Sequence, residues 1–397
     1  MKPFPGLPAF ILCILAALCP FATRGAFADP AGGDVNVPAP SNPAPVSSPS
    51  EAQYRAWGQE TLDAIQAELW LPKRRLYADE AEVGQPVPNK PAFMWGCGVQ
   101  LSALAAAAHL DSARYEPSLR AFADTLQVYW TEYNGIGGFD VLPGPNGRDR
   151  YYDDNAWMVL AFADTFEDTG DARYLDRAER TFRFVVSGED ERLGGGIYWH
   201  EPDRTSKNTC VNAPATAGAL RLYQITKKPE YLKTALRLYQ WTNQHLQDTD
   251  GLFWDNIKLD GKIEKTKWSY NSALMIRSNC LFHAVTGDKQ YLDEAERIAR
   301  TAESRWIRTS TGAIRDGAAF AHLLPEAFLA VYREDHDRHW TDLVGRALLF
   351  LHEKVRDSNG HYGGRWGALE TRTKFRLIDQ ASAARAYWVA AAVGSQP

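Results

Sequence analysis

Thr169-Gly170-Asp171-Ala172-Arg173-Tyr174-Leu175-Asp176-Arg177-Ala178 returns as Thr286-Gly287-Asp288-Lys289-Gln290-Tyr291-Leu292-Asp293-Glu294-Ala295. A third copy reads Thr226-Lys227-Lys228-Pro229-Glu230-Tyr231-Leu232-Lys233-Thr234-Ala235. Each opens a segment with apolar residues at helical spacing; Tyr231, Leu232, Ala235, Leu238 and Tyr239 share one stripe. Looser copies begin near Tyr54, Tyr115 and Trp340, so the six aromatic anchors are spaced by 61, 59, 57, 60 and 49 residues. A period of this size holds two helices and two connections, which makes each unit a helical hairpin.

Beyond each anchor lies a Gly-rich or aromatic loop, at 74–80, 134–140, 194–200, 250–256, 312–317 and 360–367. A second helix follows, starting near Phe93, Asp153, Asn208, Trp268, Phe320 and Phe375. These second helices are rich in Ala, Leu and Met, as at 101–108 and 156–163, and an element apolar nearly all round is buried. Six hairpins with polar first and apolar second helices predict an all-α (α/α)6 barrel with the second helices as its inner ring. An open superhelix is the alternative. Closure is favoured because six copies fill residues 51–397 and neither terminal copy is a polar cap. Period-2 runs longer than a few residues are absent, which argues against a strand-rich fold.

Residues 1–28 read as a secretory signal peptide: Lys2, an apolar stretch 10–18 too short to span a bilayer, and Ala26-Phe27-Ala28 as cleavage signal. A lipoprotein signal at Cys19 is the poorer fit, with Leu18 before the cysteine. Residues 29–50, rich in Pro, Ser, Ala and Gly, are expected to be a disordered linker. Cleavage after Ala28 predicts a secreted or periplasmic protein with no integral membrane segment left. It removes Lys2 and Arg24 and no acid, leaving 42 basic against 49 acidic residues, a net charge of −7. That balance argues against nucleic acid as a partner and suits a neutral polysaccharide or oligosaccharide. The remaining Cys97, Cys210 and Cys280 are odd in number and form no CxxC or Cys/His cluster, so they read as buried, inert thiols. Asp248-Thr249-Asp250-Gly251 reads as a turn, and neither metal nor cofactor is expected. The chain reads as a monomer.

Asp153 and Asp154 stand in Tyr151-Tyr152-Asp153-Asp154-Asn155-Ala156-Trp157, at the start of the second inner helix. Aspartate is a preferred N-cap and favours the positive end of a helix dipole, so capping is the plain reading. One cap needs only one Asp, however, and every inner-helix start faces the same mouth. Two close carboxyls disfavour double ionisation, so one stays protonated beside a charged neighbour, which is what glycosidic bond cleavage uses. Neighbouring Cβ atoms lie roughly 5–6 Å apart, near the about 5–5.5 Å carboxyl spacing of retaining enzymes. The mouth loops also hold Trp70, Trp95, Trp199, Trp254, Trp268 and Trp366. Of these, Trp95, Trp199 and Trp268 are the candidates for stacking on sugar rings.

The run 152–157 resembles the signature of glycoside hydrolase family 76, the endo-α-1,6-mannanases. Further matches, in order, are Gly194-Gly195-Gly196-Ile197-Tyr198-Trp199, Lys207-Asn208 with Val211-Asn212-Ala213-Pro214, Trp268-Ser269-Tyr270-Asn271 leading into Thr286-Gly287-Asp288, and Asp379-Gln380-Ala381-Ser382-Ala383. The resemblance covers roughly residues 55–390 and implies an (α/α)6 barrel, a retaining mechanism, α-mannan as substrate, Asp153 as nucleophile and Asp154 as acid/base. Tyr152, Asn155, Asn208, Asn212, Tyr270 and Asn271 would then meet sugar hydroxyls. Two departures are Ser272-Ala273 where the family commonly has Gln-Gly, and Phe320-Ala321-His322 where it often has Phe-Lys-Gly. Both are expected to shape the cleft.

Three rival readings are a sugar epimerase working through His283 and His322, a glycan-binding barrel without catalysis, and a transglycosylase. The sixth inner helix holds no His for the first, and both aspartates stand against the second.

Overall fold

Gly170 and Gly287 sit in the left-handed region, at φ +66° and +71°, and each ends a helix. Asp171 and Asp288 then cap the next helix by accepting the backbone N–H two residues on. The Thr-Gly-Asp motif is thus a helix stop and a helix start within three residues. A computed structural model describes residues 48–144, 148–370 and 372–394. The elements are α1 (Glu51–Glu68), α2 (Met94–Leu110), α3 (Ser112–Thr125), α4 (Tyr152–Thr169), α5 (Ala172–Val186), α6 (Thr209–Thr226), α7 (Pro229–Leu246), α8 (Ser269–Thr286), α9 (Lys289–Trp306), α10 (Ala318–Ala321), α11 (Leu323–Asp335), α12 (Arg338–Phe350) and α13 (Leu377–Gly394).

The inner ring runs α2, α4, α6, α8, α11, α13 and back to α2, each packed on the next, so the barrel closes. Helix α1 packs on α13, joining the two ends of the chain. This pairing shifts the phase of the repeat. The tight antiparallel pairs are inner-then-outer across the short turns (α2 with α3, α4 with α5, α6 with α7, α8 with α9), not outer-then-inner across the long loops. The physical reason is loop length: a one- or two-residue turn forces adjacency, whereas the long connections travel over the mouth. All six anchors lie on outer helices; Tyr54, Tyr115, Tyr174 and Trp340 are buried against the inner ring, and Tyr231 and Tyr291 are partly buried. The fifth inner helix is broken at His322, between α10 and α11.

The mouth loops carry short antiparallel ribbons that period-2 reading could not register, since each strand is two to four residues long. Trp130–Tyr133 pairs with Ile136–Phe139, and Ser206–Asn208 with Asn256–Lys258. Glu80–Glu82 pairs with Lys374–Arg376, stitching the first loop to the last.

The expected signal peptide and residues 29–47 of the expected linker lie outside the described residues. Ser48, Pro49 and Ser50, also assigned to the linker, belong to the folded unit: Pro49 is buried and Ser50 forms a capping box with Gln53 on α1. Cys97, Cys210 and Cys280 are buried and unpaired. Among the described residues no helix is long and apolar enough to cross a membrane.

Candidate active site

Helix α4 brings Asp153 and Asp154 to the mouth in its first turn. Neither is the N-cap; Tyr151 occupies that position without a side-chain cap bond. Both carboxyls are enclosed by protein on most sides yet keep partial solvent access. Three donors converge on Asp153. The Trp199 indole N–H reaches Oδ2 at 2.7 Å, the Asp154 backbone N–H reaches Oδ1 at 2.9 Å, and the Cys210 thiol lies 3.6 Å from Oδ2. No donor of the described residues hydrogen-bonds the Asp154 carboxyl.

The electrostatics follow from this asymmetry. Burial pushes the Asp153 carboxyl up to about 6, opposed by the Trp199, Asp154 and Cys210 donors. Burial, then the charge of Asp153 and that of Asp149, holds Asp154 well above the carboxylate range. As pH rises, Asp153 ionises first and Asp154 keeps its proton. The two adjacent carboxyls are thus unequal in hydrogen bonding and in ease of ionisation.

The other expected binding residues divide. Trp95, Trp199 and Trp268 stay partly exposed at the mouth. Trp199 is 36% exposed and does two jobs, offering ring surface while its N–H orients Asp153. Trp95 and Trp268 gather on Phe320, with centroids at 5.6 and 5.2 Å, and Tyr270 stacks on the same ring at 4.5 Å. This cluster joins α2, α8 and α10 across the mouth. Trp366, expected there too, is core, at 1% exposure.

Tyr152, Asn155, Asn212 and Asn271 are fully buried. Tyr152 points away from the mouth, stacked on Phe184, and its hydroxyl accepts from Arg204. Asn155 accepts the Phe139 N–H and donates to the carbonyls of Phe139 and Tyr151. Asn212 does the same with Ile197 and Asn208. Gln380 clamps Tyr362 in the same way, and Ser272 accepts the Phe253 N–H. Each sits at the fourth residue of its inner helix and pins the preceding loop to it. Asn155 and Asn212 are therefore loop clamps, and Ser272 is a shortened clamp, not a cleft residue. Asn208 and Tyr270 are nearly buried, at 6% and 8%. Asn208 Oδ1 accepts the Ser206 hydroxyl at 2.7 Å.

Two contributors were not expected. Cys210, read as inert, touches Asp153; burial raises its thiol well above its ordinary range, so it remains an S–H donor. Asp255 is half-buried close to Cys210 and Tyr270, and burial pushes its carboxyl up to about 6. Its position between Trp254 and Asn256 in an aromatic loop was the only signal in the sequence.

No curated protein sequence matches the chain closely enough to count as a relative. Several solved structures do match. A family 76 α-mannanase of Bacteroides thetaiotaomicron is 32% identical, with a TM-score of 0.80 over 85% of this chain and 95% of that one. A family 76 mannosidase of the same organism is 26% identical, with a TM-score of 0.78 over 85% and 98%. An α-1,6-mannanase of Salegentibacter sp. shares the fold at 22% identity, with a TM-score of 0.73 over 86% and 99%. That structure is an inactive variant with two consecutive aspartates changed to asparagine, in complex with α-1,6-mannotriose. The family model for glycosyl hydrolase family 76 matches residues 75–371. An (α/α)6 barrel with two adjacent, unequal carboxyls at its mouth thus meets a family match across most of its length: the chain is a glycoside hydrolase and belongs to glycosyl hydrolase family 76.

Proposed function

We propose that this protein cleaves α-1,6-mannosidic linkages in mannan by a retaining double displacement. The observation that carries the assignment of roles is the unequal hydrogen bonding of two adjacent carboxyls. Asp153, ionised and oriented by Trp199, attacks the anomeric carbon while Asp154 gives its proton to the leaving oxygen. Asp154, now a carboxylate, then takes a proton from the water that releases the mannosyl group from Asp153. The Salegentibacter variant, inactive with both of its aspartates replaced, supports the same pair here. Release of manno-oligosaccharides from unbranched α-1,6-mannan by the mature chain tests the reading. Proton NMR of the first product should show the α-anomer; a β-anomer rejects retention. The signal-like segment 1–28 supports secretion, and a mature N-terminus at Asp29 is expected on sequencing.

The donors on Asp153 set the acid limb of the pH profile. Removing one favours the protonated form and raises its pKa. Trp199→Phe should therefore move the acid limb of kcat/KM to higher pH, with a smaller shift in the same direction for Cys210→Ala. The loss is greatest below pH 6 and smallest above pH 7. An acid limb left in place by both variants would remove Asp153 as the group that must be ionised.

A further inference from the structure

Toward the end of the barrel away from Asp153 and Asp154, the inner helices line a partly open cavity of about 260 Å³. On α4, Asp164 follows Asp154 by ten residues, which places the two ends about 15 Å apart along the axis. The walls of this cavity differ in charge. On one side, Asp164 and Glu167 of α4 bind Arg221 of α6, and Asp168 binds His109 of α2. On the other, Arg277 and Arg385 share one carboxylate, Glu326, and Arg333 stands nearby without an ion pair. Arg385 donates to Glu326 at 2.8 Å, and Arg277 Nη1 approaches it at 3.0 Å.

Three guanidiniums have one carboxylate in direct contact, Glu326, and a second, Glu334, at longer range and already paired with His283, so N–H donors are left over. Arg277 Nη1 is buried, and its approach to Glu326 is not aligned as a hydrogen bond. Arg333 is half-buried and forms no hydrogen bond or ion pair among the described residues; Glu326, Arg277 and, more weakly, Glu334 act on it at longer range. Arg385 is 4% exposed. A guanidinium carries five N–H donors in a planar fork matched to oxyanions. Buried donors without acceptors point to a missing water or ion, and buried charge needs a counter-charge. Water would supply acceptors without charge. The inner helices' C-termini add negative potential at this end; Arg333 lies in the last turn of α11 and feels it, whereas Arg277 and Arg385 lie mid-helix, beyond its reach.

We propose that this cavity binds a small free tetrahedral oxyanion of the phosphate and sulfate class on its α8–α11–α13 side. Arg333 and Arg277 supply the open donors, Glu326 orients Arg277 and Arg385, and the acidic α4 wall keeps the ion to that side. The site is separate from the catalytic pair and does not depend on the mannanase reading.

Isothermal titration of the full mature chain with inorganic phosphate and with sulfate, at ionic strength held constant with chloride, tests it. Saturable one-site binding is expected. Arg333→Met should weaken it at least tenfold and leave glycoside hydrolysis unchanged, and Arg333→Lys should recover part of the affinity. Asp154→Asn, inactive by expectation, should bind phosphate as the parent does. Selenate soaked into crystals should give anomalous density beside Arg333 and Arg277, a readout independent of how the variants fold. A response no greater than that to chloride, phosphate binding unchanged in Arg333→Met, or selenate found only at the catalytic mouth would overturn the proposal.

Discussion

Asp154→Asn is expected to lower kcat/KM on α-1,6-manno-oligosaccharides by about 10³, within the range of a lost general acid. On a dinitrophenyl α-mannoside, whose leaving group needs no proton, the first step should survive. Asp153→Asn should remove turnover of both substrates, because no covalent intermediate can form. The reverse pattern would exchange the two roles. A stability measurement comes from the same residues. Both carboxyls are raised in the folded state. The folded protein therefore holds their protons more tightly than the unfolded chain, whose aspartates titrate near about 3.9. The stability they contribute is complete at low pH. It is lost as pH rises from the ordinary carboxylate range through about 6 for Asp153, and higher for Asp154. Asp154→Asn removes a buried like-charge neighbour, so its Tm should exceed that of the parent at pH 8, with the difference shrinking toward pH 4. An inactive variant that is also less stable at pH 8 would contradict this account of the site.

The anchors and the aspartate pair were legible because each rests on a local pattern. A Thr-Gly-Asp turn must stop one helix and start another wherever it occurs, and two adjacent carboxyls before an apolar run are rare. The inner-helix starts came out within a residue or two for the same reason. What failed was direction. Tyr152 and Asn155, which flank the catalytic pair in the family-like run, were expected to meet sugar hydroxyls beside it. Residues three apart share a helix face, however, and the face of 152 and 155 is not that of 153 and 154. Tyr152 therefore packs on Phe184, and Asn155 turns back to its own loop. Asn212 occupies the same place on α6 and has the same fate. An amide at the fourth residue of an inner helix looks identical in sequence whether it holds a sugar or a backbone. Only the repeat of the device at Gln380, and in shortened form at Ser272, separates the two. Cys210 was beyond reach for another reason. Its role depends on α6 lying beside α4, a distance of 57 residues that no local pattern encodes.

Arg150→Met should cost about 3–5 kcal/mol, the price of leaving one partner of a buried ion pair uncompensated. Arg150 is fully buried two residues ahead of Tyr152. Its fork meets Glu201 at 2.7 and 2.8 Å, and Nη1 also donates to the carbonyls of Thr131 and Ile136. The guanidinium lies 4.5 Å from the Phe184 ring centroid and 4.8 Å from that of Tyr133. One side chain thus ties the 130–139 hairpin, the approach to α4 and the 199–204 loop into a single block. That block carries Trp199, whose carbonyl accepts the Tyr152 N–H and whose indole holds Asp153. Loss of Arg150 should therefore lower kcat as well as stability. Arg148, 43% exposed, also reaches Glu201 at 2.9 Å and should hold the loss toward the lower end. Arg150→Met with Glu201→Leu removes both charges and should recover much of the stability without restoring full activity, since the loop carbonyls stay unclamped. Burial raises the Glu201 carboxyl, but Arg150 and then Arg148 together outweigh it and hold the group below its ordinary value. Its contribution is then complete above about pH 4.5 and is lost as pH falls through the lower folded value. Urea unfolding at pH 7 should separate parent and single variant by the full amount, and at pH 3 by clearly less. Equal stability of the single and double variants at pH 7 would show that the buried charge of Glu201 is not what the arginine neutralises.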